Sequence, residues 1–158
     1  MEKKTIYLET TIVSYYTAKP SRDIIILAHQ QITNSWWEYA KRNYNIYISD
    51  VVIEEAKSGD CIAAEKRLNE LQTFPILKST EKAEELAKIY IEKLSIPLKA
   101  IRDAAHLSIA SIHGMDYLVT WNCTHLANGE NIKKLVAINK SLNIHTPIIC
   151  TTEWLTEE

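Results

Sequence analysis

Thr5-Ile6-Tyr7-Leu8-Glu9-Thr10-Thr11, near the start of the chain, changes abruptly from apolar to polar residues. Its first four residues are β-branched or apolar and are preceded by charge, which predicts a short buried strand. Glu9 follows the end of that strand directly. Ligands of parallel α/β sheets bind at the carboxyl ends of the strands, so Glu9 is a candidate site residue. An acid in this position is equally often the cap of the helix that follows, and that alternative stays open.

The rest of the chain repeats this alternation of strand and helix. Further strands are predicted at 46–49, 74–77 (an edge strand, because it contains a proline), 117–120 and about 147–150. Helices are predicted at 10–16, at 60–72, at 99–113 and at about 131–142, with a helical turn at 152–155. Three further helices are predicted to begin after the capping residues Ser21, Asp50 and Thr80. This order predicts an α/β fold, a three-layer α/β/α sandwich around a central, mainly parallel sheet. No repeat or linker interrupts it, so residues 1–158 are expected to form a single domain.

The long helix expected after Ser21 has apolar residues at helical spacing. They are Ile25, Ala28, His29, Ile32, Trp36 and Ala40, and they predict one buried face. Trp37 lies off that face and is expected at the surface. An aromatic-rich helical surface of this kind favours a contact between two copies of the chain.

Composition limits the function classes. The hydrophobic share of 46% and the charged share of 24% are those of a globular domain. No run approaches the ~20 apolar residues that cross a membrane, and no signal-peptide core is present, so a cytoplasmic location without membrane contact is expected. The three cysteines, Cys61, Cys123 and Cys150, form no CxxC pair, which indicates reduced thiols rather than a zinc ribbon or disulfides.

Net charge and glycine content exclude two further classes. The 18 basic and 20 acidic residues give a net charge of −2, unlike a protein that coats nucleic acid with a basic surface. A local basic rim beside an acidic cleft remains compatible with this total. Three separate glycines, Gly59, Gly114 and Gly129, cannot form the phosphate-binding loop of a nucleotide-binding Rossmann protein. A phosphatase would need a nucleophilic Asp after the first strand, where Glu9 stands.

Oxygen-bearing side chains follow several of the predicted strands. Glu9 follows the first strand, Glu54 and Glu55 lie one turn into the helix after the second, and Asn122 follows the strand at 117–120. Asp103 begins a helix that must run beside the sheet. Carboxylates brought together raise one another's pKa, and a divalent cation removes that conflict. Oxygen ligands favour Mg²⁺ or Mn²⁺, ions that assist phosphodiester hydrolysis.

These segments resemble the four motifs of the PIN-domain family, in the same order and over nearly the whole chain. They are Tyr7-Leu8-Glu9-Thr10-Thr11, Ile48-Ser49 through Glu55, Asp103-Ala104-Ala105-His106-Leu107, and Tyr117-Leu118-Val119-Thr120-Trp121-Asn122. The resemblance implies a metal-dependent ribonuclease that hydrolyses RNA phosphodiester bonds. It also implies kinship with the VapC-like toxins of toxin–antitoxin pairs, hence an antitoxin partner, and a homodimer.

Carried over position by position, the resemblance implies a catalytic set of Glu9, Glu55, Asp103 and Asn122, of which the three acids bind the metal. Glu55 is preferred to Glu54 because it lies seven positions beyond Ile48, as in the family. Thr11 and Thr120 are implied hydroxyl neighbours that orient the site. His106, three residues after Asp103 on the same helix, is expected to hydrogen-bond and orient that acid.

Two positions depart from the family pattern. Glu9 stands where the family has Asp, so its carboxylate reaches about 1.3–1.5 Å further. Asn122 stands where Asp is usual, which leaves three formal negative charges rather than four and weakens a Mg²⁺ site. The alternative function is therefore a PIN scaffold with weakened metal binding that acts as an RNA- or protein-binding module.

Overall fold

The computed structural model describes residues 2–156 and contains a five-stranded parallel sheet. The strands are β1 (Thr5–Leu8), β2 (Asn45–Ser49), β3 (Ile76–Leu77), β4 (Tyr117–Val119) and β5 (Ile148–Cys150). Their order across the sheet is β3-β2-β1-β4-β5, which places β1 at the centre. Helices flank the sheet, so the predicted three-layer α/β/α fold with a parallel sheet is confirmed.

Seven α-helices connect and follow the strands. They are α1 (Thr10–Thr17), α2 (Ile24–Asn43), α3 (Asp50–Ala56), α4 (Cys61–Leu71), α5 (Glu81–Lys93), α6 (Ile101–Ile112) and α7 (Gly129–Ser141). Short 3₁₀ turns occupy Leu98–Ala100 and Thr152–Leu155. Helix α6 ends just before Gly114, whose φ of +66° lies in the left-handed region that favours glycine.

Two predicted helix caps were wrong by one or two residues. Helix α2 is capped by Asp23, whose carboxylate accepts hydrogen bonds from the backbone N–H groups of the second and third helical residues, rather than by Ser21. The Ser21 hydroxyl instead accepts a hydrogen bond from the Asp23 backbone N–H. Helix α3 is capped by Ser49, and the predicted cap Asp50 is its first residue. Ser, Asp and Asn cap helices about equally well, so sequence alone does not choose between near neighbours.

Two residues of the α2 face that was predicted to be buried are exposed: Ile25, at 65%, and Ala28. Ile101, at the start of α6, is also exposed, at 49%. All three lie in the first or second turn of their helix, at an end that the rest of the fold leaves uncovered. Helical spacing identifies a face and does not fix how far along the helix that face is buried.

The expected exposure of Trp37 was also wrong. Trp37 is only 2% exposed; its ring stacks on Tyr16 at 4.2 Å between centroids and meets the edge of Phe74 at 5.9 Å. Trp36 is equally buried, and its Nε1 donates to the Leu155 carbonyl at 3.1 Å. Both tryptophans belong to the core, so an aromatic surface on α2 gives no support to a homodimer.

At the starts of β1 and β4, Thr5 and Asp116 hydrogen-bond each other reciprocally. The Asp116 carboxylate accepts hydrogen bonds from the Thr5 backbone N–H at 2.8 Å and from its hydroxyl at 3.1 Å. The Thr5 hydroxyl accepts in turn from the Asp116 backbone N–H at 2.9 Å. The backbone hydrogen bond from Thr5 is the main cause that holds the pKa of Asp116 below its ordinary value, and burial opposes it.

We expect Asp116 to make folding stability depend on pH in the acid range. Because folding lowers the pKa of Asp116, its contribution is complete above the ordinary Asp value of about 3.9 and is lost as pH falls through the folded pKa. Urea unfolding at pH 7 and at pH 3 should show that Asp116→Asn destabilises the fold at pH 7 and much less at pH 3. Glu65→Gln, an exposed change on α4, is the control. An Asp116→Asn deficit of equal size at both pH values would contradict the assignment.

Within residues 2–156, no helix has the length and apolar character needed to cross a membrane.

Candidate metal centre

The site lies where the order of the sheet reverses. From β1 the chain continues to β2 on one side, and from β4 it continues to β5 on the other. The crevice between the carboxyl ends of β1 and β4 is therefore the topological switch point, at which α/β sheets bind ligands. Glu9 follows β1 there, and Thr120 follows β4. The Glu9 backbone N–H donates to the Val119 carbonyl at 3.1 Å, which fixes the two strand ends side by side.

Glu9 is the buried acid of the site and caps helix α1. Only 3% of the residue is exposed, and one carboxylate oxygen accepts hydrogen bonds from the hydroxyls of Thr11 at 2.5 Å and Thr120 at 2.6 Å. The other oxygen accepts only from the Thr11 backbone N–H, at 3.1 Å. Burial raises the pKa of Glu9, although His106 and the two hydroxyls act to lower it. The second oxygen of Glu9, which accepts a single hydrogen bond, can therefore contact a further donor or a cation.

The two threonines are themselves held by the loop after β4. The Thr11 hydroxyl accepts from the Trp121 backbone N–H, and the Thr120 hydroxyl accepts from the Asn122 backbone N–H, both at 2.9 Å. Each hydroxyl proton is thereby left to point at Glu9. Thr11 and Thr120 thus both donate to one oxygen of the Glu9 carboxylate.

Glu55 reaches the site from helix α3 and is joined to Glu9 through His106. The same Glu55 oxygen contacts the Thr10 hydroxyl at 2.8 Å and His106 Nε2 at 2.5 Å. His106 Nε2 also lies 4.0 Å from the second oxygen of Glu9. Adjacent Glu54 points away and forms an exposed ion pair with Arg102 at 3.1 Å. The structure thus brings together Glu9, Glu55 and His106.

His106 is fully buried and is part of a hydrogen-bonded chain that crosses the core. Its Nδ1 lies 2.6 Å from the Tyr7 hydroxyl, which lies 2.8 Å from the Ser49 hydroxyl. Burial acts to lower the pKa of His106, but the hydrogen bond with Glu55 and the charge of Glu9 raise it overall. Burial acts to raise the pKa of Glu55, and the contact with His106 brings it below its ordinary value. The charged forms of the imidazole and of the two acids therefore stabilise one another.

The expected hydrogen bond between His106 and Asp103 was wrong. Asp103 lies in the first turn of α6, and its carboxylate is 3.5 Å from His125 Nδ1, a contact too long for a hydrogen bond. The three-residue spacing places His106 on the same face of the helix, yet Tyr7 and Glu55 occupy both of its ring nitrogens. Burial raises the pKa of Asp103, against the lowering effects of His125 and Asn122.

Asn122 lies beside Asp103 with its oxygen already engaged. That oxygen accepts from the backbone N–H groups of Thr124 at 3.2 Å and His125 at 3.1 Å, which closes the loop after β4. The Asn122 side chain lies near enough to Asp103 to act to lower its pKa, and only the N–H of a side-chain amide can donate to a carboxylate. Asn122 thus offers the site a hydrogen-bond donor at its edge, and its oxygen holds the backbone.

Sequence reasoning missed Tyr7, Ser49, Thr10 and the contact of His125 with Asp103. Tyr7 and Ser49 read as strand residues, and nothing local shows that the Tyr7 hydroxyl meets both Ser49 and His106, which is 99 positions away. Thr10 had a weak signal, because it belongs to the same short motif as Glu9 and Thr11. A further contact of this kind stacks His29 on Trp121, with ring centroids 4.0 Å apart, and steadies the loop that holds Thr11.

The donor set fits a divalent cation. One ligand atom from each of Glu9, Glu55 and His106 can be chosen so that all three lie within 4.8 Å of one another. A polar cavity of about 240 Å³ adjoins His125, lined in part by Ser95, Thr124, Asn128 and Asn131. The arrangement therefore combines a buried ligand cluster, a half-buried acid and polar space beside His125, which contacts that acid.

Comparison with known proteins supports the fold. No protein-family profile matches the chain, and no curated protein matches it in sequence. A solved structure of VapBC2 from Rickettsia felis, bound to a DNA fragment from their promoter, is similar over 93% of this chain and 98% of that chain. The TM-score is 0.58 and the sequence identity 18%. Similarity at this level shows a shared α/β fold.

Proposed function

We propose that this protein is a metal-dependent endoribonuclease that hydrolyses RNA phosphodiester bonds. The observation that carries the proposal is the convergence of Glu9 and Glu55 on one cluster at the switch point of the sheet. The charge of Glu55 also acts to raise the pKa of Asp103, which places Asp103 near that cluster. These residues stand in the segments that resemble the PIN-domain motifs. A buried pair of acids has a cost in folding free energy that a cation-binding role explains.

The ion proposed is Mg²⁺ or Mn²⁺, held by Glu9, Glu55 and Asp103. When bound, a divalent cation supplies positive charge that stabilises the charge developing on phosphoryl oxygens. The chain's own residues supply orientation: Thr11 and Thr120 fix the Glu9 carboxylate. The amide of Asn122 is a donor beside Asp103, placed to bind a phosphate oxygen at the edge of the site.

The proposed biological setting is a toxin–antitoxin pair. The chain covers nearly the whole length of the VapBC2 chain that it matches, and that structure is of a complex on promoter DNA. We propose that this protein is the toxin of such a pair and binds an antitoxin protein, and that it acts in the cytoplasm, where its RNA substrate is found. A small reading frame for a DNA-binding protein beside the gene would support this; purification of the co-expressed pair as one complex would test it.

The test of the nuclease proposal is cleavage of a defined RNA by the purified protein. The protein is expected to cleave the RNA with Mn²⁺ or Mg²⁺ and to lose this activity in excess chelator. The activity should return when the ion is restored. Asp103→Asn protein, purified in the same way, measures the background from contaminating nucleases. Chelator-resistant cleavage, or equal cleavage by this variant, would refute the proposal.

A second candidate function is supported by the hydrogen bonds of the site. Glu9 accepts three hydrogen bonds from within the protein, and the Asn122 oxygen accepts two. Acids satisfied in this way bind metal less readily, which favours a PIN scaffold that binds RNA or protein without cutting. Stable RNA binding in chelator, together with no cleavage in any divalent ion, would favour this function over the nuclease.

We further predict that the protein is a homodimer, a prediction that now rests on the family resemblance alone. Sedimentation at tens of micromolar protein should give a mass near twice the 18.1 kDa of the chain. A single species at the mass of one chain would contradict it.

A further inference from the structure

The cluster contains a nitrogen atom placed between its two acids. His106 Nε2 is 2.5 Å from a Glu55 oxygen and 4.0 Å from a Glu9 oxygen. Ligand atoms that each lie about 2.0–2.2 Å from one ion are at most about 4.4 Å apart. Both separations satisfy that limit. The chosen ligand atoms of Glu9 and Glu55 lie within 4.8 Å of each other, so a shift of a few tenths of an ångström at most is enough to place all three atoms around one ion. An ion bound by both acids is therefore within reach of the imidazole as well.

The opposite side of the imidazole is prepared for such a role. A histidine that binds metal through one ring nitrogen normally donates the N–H of the other to a fixed acceptor. His106 Nδ1 faces the Tyr7 hydroxyl at 2.6 Å. The Tyr7 hydroxyl can in turn donate a hydrogen bond to the Ser49 hydroxyl, 2.8 Å away. With Nε2 on a cation, Nδ1–H donates to Tyr7 and Tyr7 donates to Ser49. Every group in this buried chain then keeps a partner.

We propose that His106 Nε2 is a direct ligand of the metal ion, beside Glu9 and Glu55. This inference rests on the proposed function only in taking the same site to bind a divalent cation. Mg²⁺ prefers oxygen ligands, whereas imidazole suits first-row transition ions. Of the ions proposed above, the nitrogen ligand favours a transition ion such as Mn²⁺ over Mg²⁺, and Tyr7 positions that ligand.

Metal titration of matched variants tests the selectivity. We expect Co²⁺ to bind the wild type far more tightly than Mg²⁺, and His106→Gln to reduce Co²⁺ affinity at least tenfold more than Mg²⁺ affinity. Tyr7→Phe removes only the outer partner and should weaken Co²⁺ binding by about 10–100-fold. His125→Gln, at a histidine that contacts Asp103 from the other side, should leave the Co²⁺/Mg²⁺ ratio unchanged. An equal loss of both ions in His106→Gln would overturn the proposal.

A direct measurement avoids dependence on any variant. Pulsed electron paramagnetic resonance of the Mn²⁺-loaded wild type should show coupling to one directly bound ¹⁴N nucleus, replaced by a ¹⁵N pattern after histidine labelling. The coupling should persist in His125→Gln. Mn²⁺ bound with no nitrogen coupling, or a coupling lost in His125→Gln, would overturn the proposal. RNA cleavage is read separately: cleavage without nitrogen coupling defeats this inference alone, and nitrogen coupling without cleavage defeats the proposed nuclease alone.

Discussion

Asp103→Asn is expected to reduce RNA cleavage by more than about 100-fold while the metal-free fold melts at the same temperature or higher. Loss of an outer partner of a metal ligand already costs about 10–100-fold in affinity or activity, so removal of a ligand's charge should cost more. Burial raises the pKa of Asp103, which means that the charged carboxylate destabilises the metal-free fold. A neutral amide in its place removes that cost. Activity and stability should therefore move in opposite directions.

Thermal melting with and without metal separates this role from a structural one. A ligand at a hundredfold excess over its dissociation constant stabilises the wild type by about 2.7 kcal/mol, and Asp103→Asn should show little of that gain. Glu54→Gln is the matched control, because Glu54 lies beside Glu55 on α3 but is exposed and pairs with Arg102. It should keep both cleavage and the metal-induced shift, since a surface ion pair contributes about 0–1 kcal/mol. An Asp103→Asn variant that melts several degrees lower in chelator would make Asp103 a structural partner of His125 or Asn122.

The parts of the fold that sequence predicted are those governed by local chemistry. Strand β1 was predicted at its observed limits because four apolar or β-branched residues are bounded by charge on both sides. Thr80 was predicted as the cap of α5, and its hydroxyl accepts from the Ala83 backbone N–H at 3.1 Å. In both cases the signal lies within a few residues of the element, and no distant partner changes it.

The parts that sequence missed depend on partners far along the chain. Trp37 is off the apolar pattern of α2 but is buried, because Tyr16 and Phe74 meet its two sides. His106 was assigned to Asp103 on its own helix, whereas its nitrogens face Tyr7 and Glu55 from β1 and α3. Spacing predicts which side chains share a helix face. Which of them bond is decided by the elements that pack against that face.

Replacement of the buried histidine should have the largest effect on stability. In chelator, His106→Leu is expected to lower the free energy of unfolding by about 3 kcal/mol, because removal of one partner of a buried ion pair costs about 3–5 kcal/mol. The lower end applies because the Glu55 side chain is 25% exposed and can recover contact with water. Glu9 is only 3% exposed and cannot recover contact with water in this way.

Leucine fills a similar volume, so the loss isolates hydrogen bonding and charge from packing. For a chain of this length 3 kcal/mol corresponds to a melting temperature lower by about 6–12 °C. Two variants check the cause. His106→Gln keeps a side-chain donor for Glu55, so its free energy of unfolding should fall clearly less. His113→Leu replaces a half-buried histidine that follows α6 and contacts the Lys78 carbonyl. Its loss of that one contact should cost about 1 kcal/mol or less. If His106→Leu were as stable as His113→Leu, the imidazole would not be balancing Glu9 and Glu55, and the two acids would have to be neutral in the metal-free fold.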